Sequence, residues 1–356
     1  MHKICSIIGA RPQFIKAGPL SSALREKFKE IIIHTGQHYD HGMSQRFFEE
    51  LDIPDPDYNL GVGSGRHGAQ TAAMLQSIEE VFLKEKPDAV IVYGDTNSTL
   101  AGALAAVKLH IPIAHVEGGM RSYNREMPEE INRILTDHIS RWLFAPTELS
   151  IEIMEREGIR GNVYIVGDIM LDSILKYREK AEKISTILED LSFEINNYYL
   201  ATIHRAENTD DKNQLNSIFQ IFSELDKEVI LPLHPRTKKQ IEEFSITIPD
   251  NIKIIEPVGY LDMLNLIQNS KSVLTDSGGI QKEAYYLKVP CITLRSETEW
   301  TETVATGWNT VVNTDKEIIL SVAEKSNEIR SLPHPDLYGN GNTASEIVNI
   351  LSSEIF

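Results

Sequence analysis

Short apolar runs rich in β-branched residues alternate with longer helix-patterned segments along almost the whole chain, and this alternation limits the fold more than any other feature. The runs cover residues 4–8, 31–34, 89–92, 113–116, 143–145 and 163–166, then 199–203, 229–233, 252–254, 272–275, 291–293 and 311–312. Many are continuously apolar rather than alternating, the pattern of parallel strands covered on both faces. Segments between them, such as 70–86, 99–109, 129–141 and 214–226, are long enough to be crossover helices. A chain of 356 residues exceeds what one core usually fills, so two domains are expected. The charged, strandless stretch 174–197 reads as part of their connection, and 343–355 as an isolated amphipathic helix. The expected fold is α/β, with two doubly wound parallel-sheet domains at 1–170 and 171–342 and a cleft between them. Ligands of such sheets sit beyond the C-terminal strand ends, so chemistry is sought in the loops that follow strands.

Charge narrows the partners. A net charge of -17 argues against nucleic acid and anionic membranes, both of which need a basic face. It still permits a local anion site made of a few arginines and helix N-termini. Cys5 and Cys291 lie inside apolar runs and read as small buried hydrophobes in a reduced compartment. With no targeting segment or membrane-length apolar run, a cytoplasmic protein is expected.

Several post-strand loops carry reactive side chains. GARPQFIK (9–16) sets Arg11 and Lys16 around a helix start, where backbone amides favour an anion. TDSGGIQKE (275–283) runs from a strand through Ser277, Gly278 and Gly279 into a helix, a nest of amide donors for phosphate, with Glu283 placed to accept from ribose hydroxyls. GDTNST (94–99) offers Asp95, HVEGGMR (115–121) offers Glu117, and MPEEINR (127–133) offers Glu129. Each of these carboxylates also suits a capping or turn role. HRAEN (204–208) adds His204, and a histidine facing carboxylates across a phosphate site makes an acid/base set. His234 and Arg295 also follow strands and read as cleft residues. The cluster His34, His38, His41 straddles a strand end and a loop, with no helix face to organise a metal, so no metal is expected.

Taken in order, GARPQFIK, GQH, GDTNSTLAG, HVEGGMRS, MPEEINR, LTDHIS, FAPTE, HRAEN, LPLHPRT, EPVGYL, LTDSGGIQKEA and LRSETEWTET resemble the non-hydrolysing UDP-N-acetylglucosamine 2-epimerase family over essentially the full chain. The resemblance implies a GT-B-like pair of Rossmann-like domains, a C-terminal helix (343–356) packed back on the first, a homodimer, and no cofactor. It implies acid/base and ionic roles for Asp95, Glu117, Glu129 and His204, with Lys16 a further active-site cation. Arg11 and His204 would lie near the diphosphate, Ser277 and Gly278 would bind phosphate, and Glu283 would hold the ribose. The implied reaction eliminates UDP across C1–C2 to a glycal and re-adds it after protonation from the other face. Two departures concern the sugar: Gln13 stands where the family commonly has Glu, and Thr298–Glu302 reads TEWTE where TERPE is common. Both resemble a branch acting on UDP-2,3-diacetamido-2,3-dideoxyglucuronic acid. Gln37 and Gln70 fit a second, activating UDP-sugar site of some bacterial members, whereas Asp40, Ala69 and Ala206 replace a Gln and two Arg there, so weak or absent activation is expected. A GT-B glycosyltransferase would share the nucleotide site but would need an acceptor and would exchange no proton at C2.

Overall fold

The computed structural model describes residues 1–37, 41–159 and 162–355, with the backbone alone described for 41–44. The chain forms two compact units, Met1–Lys176 with Asp336–Phe356, and Tyr177–Pro335. The first unit runs β1 (Lys3–Ile8), α1 (Arg11–Lys27), β2 (Lys29–His34), α2 (His41–Glu50), β3 (Tyr58–Asn59), α3 (His67–Glu85), β4 (Ala89–Tyr93), α4 (Asn97–Lys108), β5 (Ile113–Val116), α5 (Pro128–Ile139), β6 (Trp142–Ala145), α6 (Glu148–Arg156), β7 (Val163–Ile165) and α7 (Ile169–Ile184), whose second half belongs to the other unit. The second runs α8 (Ile187–Leu191), β8 (Tyr198–Thr202), α9 (Ala206–Thr209), α10 (Lys212–Ser223), β9 (Glu228–Pro232), α11 (Pro235–Phe244), β10 (Ile252–Ile255), α12 (Tyr260–Gln268), β11 (Val273–Thr275), α13 (Gly278–Tyr286), β12 (Cys291–Thr293), α14 (Thr301–Ala305), β13 (Asn309–Val311), α15 (Lys316–Glu324) and α16 (Ser326–Ile329); α17 (Thr343–Glu354) returns to the first.

Every strand pairing is parallel. The first sheet has the order β3-β2-β1-β4-β5-β6-β7 and the second β10-β9-β8-β11-β12-β13. Residues of β4 and β8 are buried throughout, which is why β4 is apolar at every position and β8 at all but its last, Thr202, rather than at every second one. Strand order reverses between β1 and β4 in one sheet and between β8 and β11 in the other. These are the switch points where adjacent loops diverge and leave room for a ligand at the C-terminal strand ends.

The terminal helix α17 lies on the first unit and buries Ala344, Ile347, Val348 and Leu351. Its first turn is fixed by the Thr343 hydroxyl donating to the Val166 carbonyl at 2.9 Å and by the Ala344 amide donating to Asp172 at 2.8 Å. Near its other end Glu354 accepts from the Tyr164 hydroxyl at 2.9 Å. Among the described residues no helix is long and apolar enough to cross a membrane.

Candidate active site

In the first unit the reactive groups gather at the β1/β4 switch point. Gln13 closes the turn after β1: its side-chain oxygen accepts from the amides of Gly9 and Ala10 at 2.9 and 3.1 Å. Its amide nitrogen donates to the Tyr93 carbonyl at 3.1 Å and to Thr99 at 3.0 Å. A carboxylate here could not make the last two bonds, so the glutamine ties the first turn of α1 to the end of β4. Arg11 opens α1 with its guanidinium 5.5 Å from the centre of the Phe47 ring.

One turn further, the Lys16 ammonium forms an ion pair with the Glu117 carboxylate, both side chains being nearly buried. Glu117 follows β5 with φ at 71°, a left-handed conformation that costs a non-glycine residue energy and is consistent with a functional constraint. Gly94 makes the close approach possible. Its φ is 59°, and a Cβ there would meet the Lys16 ammonium at 3.1 Å and the Glu117 carboxylate at 3.5 Å. Asp95 comes next. Its carboxylate pairs with Arg133 at 2.5 Å, and its carbonyl accepts from Asn132 at 2.9 Å, so α5 holds it from both ends. Burial alone would raise the Asp95 carboxyl; the Arg133 and Lys16 charges outweigh it and hold the group below the usual carboxylate range.

Of the adjacent pair Glu129 and Glu130, only the first is exposed. Glu130 is buried and accepts from the amides of Ser122 and Tyr123, both at 2.9 Å. Glu129 stands on the first turn of α5, outside the contacts that join Lys16, Glu117, Asp95 and Arg133.

Gln37 and Gln70 meet at the start of α4. The Gln37 side-chain oxygen accepts from the Ser98 amide and hydroxyl at 2.9 and 2.7 Å. Gln70 accepts from Asn97 at 2.9 Å and donates to the Gly63 carbonyl at 2.7 Å. Both are thus engaged within their own unit. His34 is buried among aromatic rings, 5.3 Å from Phe14 and 5.9 Å from Phe48. His38, Asp40 and the side chain of His41 lie outside the described residues.

The second unit assembles its groups at the β8/β11 switch point. His204, after β8, meets the Asp276 carboxylate through Nδ1 at 3.0 Å. Asp276 is fully buried and also accepts from the backbone amides of His204 and Arg205, both at 2.9 Å, and from the Asn208 amide at 3.1 Å. Burial raises its carboxyl, but His204 and the two amides bring it below the ordinary value. With Nδ1 on Asp276, the Nε2 edge of His204 is left for a ligand, the same division of labour that orients histidine in hydrolytic triads. His234 lies beside it, ring centres 5.4 Å apart, and caps α11 by accepting from the Arg236 amide at 3.2 Å.

Ser277 precedes α13, and no side chain caps that helix; the Ser277 amide donates to the Thr275 hydroxyl at 2.9 Å, and the amides of Gly278 and Gly279, both partly exposed, begin the helix. Glu283 is buried in the second turn of α13. Arg295, after β12, is buried and bound by Glu299 at 3.0 and 3.3 Å. The Trp300 indole donates to the Gly278 carbonyl at 2.9 Å, and the Lys282 ammonium lies 4.1 Å from the centre of its ring. The TEWTE segment therefore buttresses the turn that opens α13.

The sequence pointed to the reactive groups and not to the residues that hold them: Asp276, Asn132, Arg133 and the buried His115. The signal for Asp276 was available, as a carboxylate at a strand end directly before the glycine pair.

A family model described as UDP-N-acetylglucosamine 2-epimerase matches residues 22–352. A UDP-N-acetylglucosamine 2-epimerase homolog of Methanococcus maripaludis is 55% identical, the match covering 98% of this chain and 99% of that one. A UDP-2,3-diacetamido-2,3-dideoxy-D-glucuronate 2-epimerase of Pseudomonas aeruginosa is 49% identical over the same shares. The crystal structure of Methanocaldococcus jannaschii UDP-GlcNAc 2-epimerase in complex with UDP-GlcNAc and UDP superposes with a TM-score of 0.92 at 49% identity, covering 99% of each chain.

Proposed function

This chain belongs to the UDP-N-acetylglucosamine 2-epimerase family, an isomerase of GT-B-like α/β fold, and from that premise we propose that it inverts UDP-N-acetylglucosamine at C2 to UDP-N-acetylmannosamine without hydrolysis. The observation carrying the proposal is that relatives matching nearly end to end are named for one reaction, 2-epimerisation, at 55% and 49% identity.

The residues suit the chemistry. The C2 proton lacks an adjacent carbonyl and is weakly acidic, so its removal has to be coupled to departure of a good leaving group. A carboxylate base takes the proton, the C2–H electrons form the C1–C2 double bond, and the C1–O bond breaks to release UDP. In the return step UDP oxygen re-forms the C1 bond while C2 takes a proton on the opposite face. Atoms and charge balance, and nothing is oxidised. Asp95 and Glu117 suit the proton steps, with Glu129 the third carboxylate of the set, and Lys16 offsets their charge. Arg11, His204, His234 and the Ser277–Gly279 turn, through the Ser277 hydroxyl and the Gly278 and Gly279 amides, suit the diphosphate charge that grows as UDP departs, and Glu283 the ribose. Arg295 supports the loop through Glu299.

A second substrate is favoured by particular residues. Gln13 and the Trp300 buttress depart from the common pattern toward the branch acting on UDP-2,3-diacetamido-2,3-dideoxyglucuronate, whose reaction is the same. The reading carries with it a cytoplasmic homodimer. It also carries weak or absent activation by a second UDP-sugar, since Asp40, Ala69 and Ala206 stand where that site has a Gln and two Arg, and Gln37 and Gln70 are engaged by Ser98 and Asn97.

The test is incubation with UDP-N-acetylglucosamine in deuterated water, followed by NMR. UDP-N-acetylmannosamine carrying deuterium at C2, with no lasting free sugar, is expected. A folded protein that binds UDP and exchanges nothing would move the assignment to the diacetamido uronate, and transfer to an added acceptor without exchange would sink the epimerase reading.

A further inference from the structure

His115 is fully buried on β5, two residues before Glu117, and no step above uses it. Its Nε2 lies 2.7 Å from the Gly94 carbonyl oxygen, and its Nδ1 lies 2.7 Å from Asp137. A carbonyl can only accept. The Asp137 carboxylate accepts from the Gly119 amide at 3.1 Å and from Arg121 at 2.7 Å, and as a carboxylate it can only accept from His115 as well. Both ring nitrogens therefore donate, and the ring is a two-pronged brace rather than a hydrophobic filler. Beyond Asp137, Arg121 is held in turn by Glu157 at 2.8 and 2.6 Å. A chain of four side chains, from β5, α5, the loop after β5 and the residue that ends α6, thus leads to one backbone carbonyl.

That carbonyl belongs to the residue before Asp95. Gly94 has φ at 59°, and its own amide donates to the Val116 carbonyl at 3.0 Å. The turn is therefore tied to β5 twice, once through each of its polar groups. If the His115 contact were lost, the Gly94–Asp95 peptide could rotate about a residue with no Cβ to resist it. The Asp95 carboxylate and the Lys16 and Glu117 groups packed on Gly94 would move with it.

We propose that His115 is a positioning residue for the epimerisation: it clamps the Gly94 carbonyl, oriented by Asp137, so that the Asp95 carboxylate keeps its place beside the Lys16–Glu117 pair. The inference rests on the reading that these carboxylates carry the C2 proton steps. The electrostatics agree, since the His115 charge is among the influences that lower the Asp95 carboxyl, after those of Arg133 and Lys16.

Two substitutions separate the prongs. In His115→Gln the side-chain amide reaches the Nε2 position and keeps a donor for Gly94. In His115→Asn the shorter amide reaches only the Nδ1 position, keeping Asp137 and losing Gly94. His115→Asn is expected to lower kcat for C2 exchange by about 100-fold, the low end of what acid/base groups contribute, with KM within about twofold. His115→Gln is expected to retain at least about tenfold more kcat than His115→Asn. Equal losses in the two variants, a loss confined to KM, or a folded His115→Asn with near-normal kcat would overturn the proposal. Should both variants fail to fold, NMR of the nitrogen-15 histidine-labelled protein gives the answer directly. One ring with slowly exchanging protons on both nitrogens is expected, and a buried ring with a single such proton would overturn the brace. If the unsubstituted protein exchanges no proton at C2 of either sugar, the parent reading fails instead, and the labelled spectrum still reports on the brace.

Discussion

Asp276 has no solvent exposure, and both its oxygens are engaged, by His204, Arg205 and Asn208. Its amide analogue could accept on one side only, leaving His204 free to turn or to shift its ring proton. Asp276→Asn is therefore expected to lower kcat for C2 exchange by about 100-fold or more while calorimetry still detects UDP binding. A kcat within about threefold of the unsubstituted protein would remove Asp276 from the mechanism. Asp137 gives a different prediction. Burial raises its carboxyl, but His115 and Arg121 outweigh it, so the folded value lies below that of the unfolded chain. The stability it contributes is then fully present above about pH 4 and is lost as pH falls through the folded value. Asp137→Asn is expected to flatten the acid limb of stability against pH, measured by denaturant midpoints; an unchanged limb would show that the pairing adds nothing. Why these residues escaped the sequence is plain from their partners. Asp95, Glu117 and His204 advertise themselves as polar side chains at strand ends, whereas Asp276 meets the His204 amide across 72 residues and Asn132 reaches the Asp95 carbonyl across 37. A single sequence contains no record of such pairs, and each member alone looks like a helix cap or a turn residue.

At the scale of elements, the apolar runs located the strands well because parallel strands are buried on both faces. The exception is β3, two residues at a sheet edge within DPDYNLG, too short and too polar to show a pattern. β13 begins two residues before its expected start because Asn309 is buried there and bound to Thr293 at 2.7 Å, a polar strand residue that hydropathy reads as loop. The amphipathic pattern of α17 was legible as a helix. The polar bonds that place it, from Thr343 to Val166 and from Ala344 to Asp172, were not. Leu351 is completely buried in that helix. Leu351→Ala is expected to destabilise the first unit by about 2–5 kcal/mol, the usual range for a leucine removed from a packed core. Denaturant unfolding read by amide exchange in β1 and β4 measures it, and a loss below about 1 kcal/mol would mean the helix is only loosely docked.

For the whole molecule, each unit repeats one plan: a parallel sheet with a switch point, and polar groups beyond the strand ends there. The first presents carboxylates and the second the glycine-rich start of α13 beside a histidine held by Asp276; the proposed reaction gives the proton to the first set and the departing diphosphate to the second. Each sheet also contains one cysteine, Cys5 in β1 and Cys291 in β12, and burial pushes both thiols up to about 12. In the native protein neither should react with a thiol reagent at neutral pH, because a protonated, inaccessible sulfur is a poor nucleophile. Labelling then waits for the surrounding sheet to open, and the two sulfurs become separate clocks on the two halves of one chain. UDP at about 100 times its dissociation constant should slow the Cys291 clock about 100-fold and the Cys5 clock less, as peptide mass spectrometry would record; equal slowing would mean the halves open as one. The chain thus comes with its own pair of probes, one buried in the sheet of each half.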